Sequence, residues 1–258
     1  MKKAIFFDVD GTVYSHESKC VPESTIEALK ALRKKGIKTF LATGRHFSEI
    51  DEFPVGKIPF DGYVMLTGQL CTDGKRNVIF GNAIDGADAE YLLNEFKKKE
   101  MPVMLVEKDK LYINLVNEIV INGQAEISSP IPEVMEYKGD PVYQIICYGG
   151  KELEMELIPK LPNCKITRWC PFGIDVISKT GGKVTGIKKM LDVHGIGQEE
   201  VIAFGDGEND LDMFKVCLKT CAMGNGDETL KKEASYVSSD ASEDGIINGL
   251  KYFKVLED

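Results

Sequence analysis

Asp8 and Asp10 stand two residues apart at the end of an apolar run, Ala4-Ile5-Phe6-Phe7, and Gly11 follows at once. Residues two apart in an extended chain point the same way, and the glycine lets the backbone turn sharply beyond them. Three further stretches carry groups of matching chemistry. Thr43-Gly44-Arg45 brings a hydroxyl, a bare backbone and a guanidinium; Lys183 follows Gly181-Gly182; and Gly205-Asp206-Gly207-Glu208-Asn209-Asp210 puts four polar side chains into one turn. Carboxylates without His or Cys beside them select a hard cation, so magnesium is the expected metal. Lys183, Thr43 and backbone N–H groups suit phosphate oxygens, and this equipment serves phosphoryl transfer, which mainly needs charge stabilisation and positioning. One aspartate attacks phosphorus, while the second protonates the leaving oxygen and then activates water.

Each signal alone has a plainer reading. Asp-x-Asp recurs at Asp210 and Asp212, a long cation such as Arg45 usually decorates a surface, and Asp or Asn before a helix is a good cap. The elements that must carry these residues favour chemistry. Ile5-Phe6-Phe7 is apolar on both faces, as a central strand is when both sides of its sheet are covered. Pro22 to Lys35 reads as an amphipathic helix with Ile26, Leu29 and Leu32 in step, stopped by Gly36, and Ile37 to Thr43 reads as the next strand. Strand, helix, strand with short joins is a right-handed parallel crossover, whose carboxyl ends share one edge. Asp61 to Gly68 is a third expected strand, with a hairpin-like extension at 77–80. Val184, Ile187 and Leu191 mark a helix opening at Lys183, where a cation opposes the helix dipole and so signals a functional demand. Glu200 to Phe204 reads as a strand ending in the acidic turn, and Leu211 to Val216 as the helix after it. Short strands at 220–226 and 235–237 flank a helix over 228–234.

Residues 82–178 have a different character. A helix over 85–100, strands at 103–106, 111–113, 142–147 and 174–178, and a helix over 151–161 predict an α+β unit with an antiparallel sheet. The expected fold class is therefore α/β with residues 82–178 inserted between 1–81 and 179–258.

At 258 residues and 43% hydrophobic composition the chain can bury a large core. A formal charge of −9 excludes general affinity for nucleic acid or anionic membrane. The apolar run after Met1-Lys2-Lys3 breaks at Asp8, too early for a signal peptide, and no stretch reaches the roughly 20 apolar residues of a membrane span. Seven cysteines without a C-x-x-C pair predict neither a zinc site nor a complete disulfide framework. A cytoplasmic, reduced protein, monomeric or weakly dimeric, is the expectation.

In order and spacing, Asp8-Val9-Asp10-Gly11-Thr12, Thr43-Gly44-Arg45, Lys183 and Gly205-Asp206-Gly207-Glu208-Asn209-Asp210 resemble the four motifs of the haloacid dehalogenase superfamily. The likeness is to its Cof-type sugar-phosphatase branch with a type IIB cap, and it extends to Ala222-Met223-Gly224-Asn225 and Glu243-Asp244-Gly245. The resemblance implies a Rossmann-like core, with 82–178 as the substrate-specifying cap. It implies Asp8 as nucleophile and Asp10 as general acid/base. Magnesium would sit on the Asp8 and Asp206 side chains and the Asp10 carbonyl, supported by Asp210. Thr43, Gly44 and Lys183 would hold the phosphate, with Asn209 close by and Arg45 at the junction of core and cap. Thr67-Gly68-Gln69 departs from the usual Asn-Gly, as does Val216-Cys217-Leu218-Lys219-Thr220 from a glycine-rich segment.

The expected partner is a small phosphate ester, sugar phosphates first. A flat cofactor ester such as flavin mononucleotide or pyridoxal phosphate is the alternative, with Tyr112, Tyr143, Trp169 and Phe172 available to stack on it. A non-catalytic sensor of a phosphorylated metabolite and a mutase are the other classes. An intact Asp8 argues against a sensor, which does not need it.

Overall fold

The computed structural model describes residues 3–127 and 129–257. The chain divides into two compact units, Met1–Phe80 joined with Gly182–Asp258, and Gly81–Gly181.

The first unit opens with β1 (Ala4–Phe7), α1 (Glu23–Lys34), β2 (Lys38–Ala42), α2 (Phe47–Glu52), β3 (Gly62–Met65), β4 (Leu70–Asp73) and β5 (Val78–Gly81). In α1 the buried residues are Thr25, Ala28, Leu29 and Leu32, and Arg33 and Lys34 occupy the last turn, where cations favour the dipole. All four residues of β1 are fully buried. Phe6 stacks on Phe40 at 4.8 Å and Phe7 on Phe204 at 5.2 Å; because successive side chains alternate, these pairs lie on opposite faces of the sheet.

The third strand stops earlier than its composition predicts. It ends at Met65, and Leu66–Gly68 coil into a short 3-10 turn with φ of +51° at Leu66, +53° at Thr67 and +85° at Gly68. A Cβ on Gly68 would stand 2.1 Å from the Gly182 carbonyl oxygen, so this glycine lets the turn pack against the start of the helix that carries Lys183. β4 runs antiparallel to β3, so the sheet is parallel in its centre and mixed at one edge.

The second unit contains α3 (Gly86–Lys98), β6 (Val103–Val106), β7 (Leu111–Ile113), α4 (Glu118–Glu126), β8 (Gln144–Tyr148), α5 (Glu152–Leu157), β9 (Cys164–Cys170) and β10 (Gly173–Ser178). Its sheet has the order β7-β6-β8-β10-β9 and is antiparallel throughout. Leu92 and Phe96 of α3 bury one face with Leu105, Tyr112, Ile145 and Val176, while Val120 of α4 packs with Met104, Ile113 and Tyr148. α4 and β9 go beyond the elements the sequence predicts. α4 groups its apolar residues consecutively at 119–121, so helical periodicity is weak, and only Val120 of the three is buried. β9 carries Lys165, Thr167 and Arg168, which mask its strand character. Thr180 Oγ1 bonds Asn82 Oδ1 at 3.1 Å, which keeps residues up to 181 with this unit; the predicted boundary falls at 178.

The first unit resumes with α6 (Lys183–His194), β11 (Val201–Gly205), α7 (Leu211–Val216), β12 (Lys219–Ala222), α8 (Glu228–Glu233), β13 (Tyr236–Val237) and α9 (Gly245–Tyr252). The complete sheet has the order β13-β12-β11-β1-β2-β3-β4-β5, and β1 pairs in parallel with both β11 and β2. Three strand ends that are far apart in sequence therefore lie side by side. No helix among the described residues is long and apolar enough to cross a membrane.

Candidate active site

Asp8 is the first residue beyond β1; its N–H donates to the Phe204 carbonyl of β11 at 2.9 Å, and its side chain is buried. The next residues turn back tightly, with the Tyr14 N–H donating to Val9 O at 2.8 Å. Gly11 has a φ of +68°, and a Cβ there would fall 2.1 Å from Asp206 Oδ2. A side chain at this position would therefore strain the turn and displace an acid of the site. Thr12 Oγ1 donates to Asp206 Oδ1 at 3.4 Å, and Asn225 ties the turn from behind, donating to Gly11 O at 2.9 Å and accepting from the Ala241 N–H at 2.8 Å.

Lys183 opens α6 without a side-chain cap, and its side chain is 1% exposed. Two carboxylates compensate: Nζ lies 2.7 Å from Asp8 Oδ1 and 2.5 Å from Asp210 Oδ1. Burial works against the lysine's charge, but Asp210 and Asp8 outweigh it and hold its pKa above the ordinary lysine value. The other oxygen of Asp210 accepts from the Asp206 N–H at 3.0 Å and the Gly207 N–H at 3.2 Å, which locks the acidic turn after β11.

Asp8, Asp206 and Asp210 offer carboxylate oxygens that all lie within 4.8 Å of one another. Burial, then the charge of Asp210, raises the pKa of Asp8 well above the carboxylate range despite Lys183. Burial, then Asp210 and Asp10, pushes Asp206 up to about 7. One ammonium thus serves a cluster with more negative charge than it can neutralise, and the donors are all oxygen. The oxygen donors of Asp8, Asp206 and Asp210 together fit a hard divalent cation.

From β2, Thr43 is buried, and its Oγ1 accepts the Arg45 N–H at 3.1 Å. A Cβ on Gly44 would meet only Thr67 Oγ1, at 3.4 Å, so this hydroxyl is the one group lying against the glycine on that side. Arg45 grips Asp10 with two hydrogen bonds, Nε to Oδ2 at 2.6 Å and Nη2 to Oδ1 at 2.9 Å. The next residue, His46, caps α2: its ring accepts from the Ser48 N–H while Glu49 Oε2 accepts from the His46 N–H at 2.7 Å. Glu49 also approaches Arg45 Nη1 at 3.6 Å.

The expected residues therefore separate by position. Asp8, Lys183 and Asp210 form one buried cluster with half-buried Asp206 beside it, Thr43 and Gly44 end the neighbouring strand, and Arg45 binds Asp10. Asn209 is exposed on the turn between Gly207 and Asp210. Thr12 and Thr67 join the site without having been singled out for it. Thr12 was legible as part of the stretch that begins at Asp8; Thr67 stood out only as a departure from pattern.

Comparison with known proteins agrees with this geometry. A family model described as haloacid dehalogenase-like hydrolase matches residues 5–250. A putative phosphatase of Bacillus subtilis, YkrA, is 29% identical over 258 residues, covering 99% of both chains. The solved structure of BT1666, a phosphatase of the same superfamily from Bacteroides thetaiotaomicron, superposes with a TM-score of 0.88 at 30% identity, over 99% of this chain and 96% of that one. That of BT4131, a subclass IIB sugar phosphatase, gives 0.80 at 34% identity over 99% of this chain and all of the other. The chain belongs to the haloacid dehalogenase-like hydrolases, as an enzyme of their phosphatase type with an α/β core and an inserted α+β unit.

Proposed function

We propose that the enzyme hydrolyses small phosphomonoesters, sugar phosphates first among them, in a magnesium-dependent reaction through an aspartyl-phosphate on Asp8. The observation that carries this reading is the buried Lys183 ammonium shared by Asp8 and Asp210 beside Asp206. Lys183 takes Asp8 Oδ1, which leaves Oδ2 as the attacking oxygen. Magnesium on Asp8, Asp206 and the Asp10 carbonyl, when bound, would offset the charge of nucleophile and phosphate.

In the first half-reaction Asp8 Oδ2 bonds to phosphorus, the ester P–O bond breaks, and the leaving oxygen takes a proton from Asp10. In the second, water loses its proton to Asp10 and attacks phosphorus, and the Asp8–phosphorus bond breaks to release phosphate. Thr43, the Gly44 backbone and Lys183 hold the phosphate oxygens, with Asn209 at the rim. The Arg45 clamp holds the Asp10 carboxyl in place through both half-reactions.

The second unit serves as the substrate-specifying cap in this proposal, within limits of 82–178 or the slightly longer 81–181. A polyol leaving group suits it better than a flat cofactor. Tyr112 is fully buried with its hydroxyl on Glu107, Tyr143 is 9% exposed, and Trp169 packs edge-on against Tyr148 at 6.3 Å. These rings are committed to the core of their own unit, which removes most of a stacking platform. Seven free cysteines suit a reducing compartment, the cytoplasm.

Phosphate release from a panel of phosphomonoesters, with and without magnesium and with Asp8→Asn alongside, tests the proposal. Magnesium-dependent release that the substitution abolishes supports it. Release that persists in Asp8→Asn, or none from any ester, would overturn it.

A further inference from the structure

Asp10 is held on two sides. Besides the Arg45 fork, His16 Nε2 approaches Asp10 Oδ1 at 3.2 Å. The backbone fixes where that imidazole sits. After the tight turn over 9–14, the Ser15 N–H donates to Cys20 O at 2.9 Å and Ser15 Oγ accepts the Ser18 N–H at 3.2 Å, closing a small hairpin with His16 at its first turn position.

The side chains form a ring around the acid. The Arg45 guanidinium lies over the Phe53 ring at 4.3 Å, Phe53 meets Tyr14 edge-on at 4.9 Å, and Tyr14 meets His16 edge-on at 5.3 Å. His16 then returns to Asp10. Each contact is small, of the size of a partly exposed cation–π or aromatic pair. Together they link the two groups that hold the Asp10 carboxylate, Arg45 and His16, through Phe53 and Tyr14. The charged or titratable groups facing Asp10 are Arg45 and His16, with Glu49 behind Arg45 and Asp206 as an electrostatic neighbour.

We infer that His16 is a positioning residue for Asp10: with Arg45 and the Tyr14–Phe53 pair it aims the Asp10 carboxyl at the leaving oxygen. Neither Asp8 nor the metal-ligating acids depend on it, because no contact of His16 reaches Lys183, Asp206 or Asp210 among the described residues. The inference rests on the phosphatase reading above and deepens it.

Two esters separate this role from a general one. p-Nitrophenolate departs without being protonated, whereas the alkoxide of a sugar needs the proton from Asp10. General acid–base help is worth about 10²–10⁴-fold, and loosening it without removing the acid should cost a part of that. With magnesium present, His16→Ala should slow the single-turnover release of the alcohol from a hexose 6-phosphate roughly tenfold and that of p-nitrophenolate from p-nitrophenyl phosphate less than about twofold, both read before the water step that Asp10 also serves. His16→Gln keeps an N–H donor of similar reach and should restore most of the loss. Equal losses on both esters, no loss on the hexose phosphate, or a glutamine variant as slow as the alanine one would overturn the inference. If the wild type releases phosphate from neither ester, the phosphatase reading itself fails and the inference falls with it, an outcome visible before any variant is made.

Discussion

Lys183 Nζ lies 2.7 Å from Asp8 Oδ1, although the two residues are 175 positions apart and the lysine is almost wholly buried. The pair joins the start of α6 to the end of β1, so the site and the closing of the discontinuous core are one event. Removing the ammonium leaves Asp8 and Asp210 facing each other without a counter-charge. Lys183→Met should destabilise the protein by about 3–5 kcal/mol, the range for breaking a buried ion pair, and abolish turnover. Urea unfolding and phosphate release from the same preparation check both.

The acidic cluster predicts an opposite response to pH with and without metal. Asp8 and Asp206 have folded-state pKa values above their unfolded ones, Asp206 at about 7. The contribution of Asp206 to stability is complete below the unfolded carboxylate pKa of about 4 and is lost as pH rises through about 7, since the unfolded chain then binds fewer protons than the folded one, and Asp8 acts in the same direction. Divalent metal needs these carboxylates deprotonated, so its binding releases protons. The rise in Tm on adding magnesium should therefore be larger at pH 8 than at pH 5. A rise independent of pH, by differential scanning fluorimetry, would count against Asp206 as a ligand.

Gly11→Ala should separate activity from stability. The left-handed backbone costs a side chain about 1–2 kcal/mol, which the fold can tolerate, but the added Cβ collides with Asp206 Oδ2. Turnover should fall by more than about 100-fold, as a displaced reacting group does, while the protein stays folded by circular dichroism.

Arg45 holds Asp10 through a planar fork that lysine cannot reproduce. Arg45→Lys should therefore be nearly as slow as Arg45→Ala, each down roughly 100-fold in kcat on a sugar phosphate. Steady-state kinetics with both variants decide it; full activity in Arg45→Lys would show that charge alone suffices.

The local chemistry and much of the core were determined by sequence. A strand apolar on both faces followed by two acids, a strand ending in Thr43-Gly44-Arg45, and a glycine-bearing acidic turn are contiguous patterns, and periodicity reports burial along one element. The change of character after residue 81 was equally legible, because alternation between helix and antiparallel strands is local too. Where local patterning was weak, it was silent: α4 buries only Val120 from its apolar triplet, and β9 alternates polar groups.

Tertiary structure alone decided who meets whom. The order β11-β1-β2 sets Asp206, Asp8 and Thr43 on neighbouring strand ends, and no spacing in the chain encodes that adjacency. It also turned Arg45 toward Asp10 and brought His16 round to the same carboxylate. Pairing over such separations depends on sheet order and on the direction each turn leaves its strand, and both emerge only when the two halves of the core close on one another.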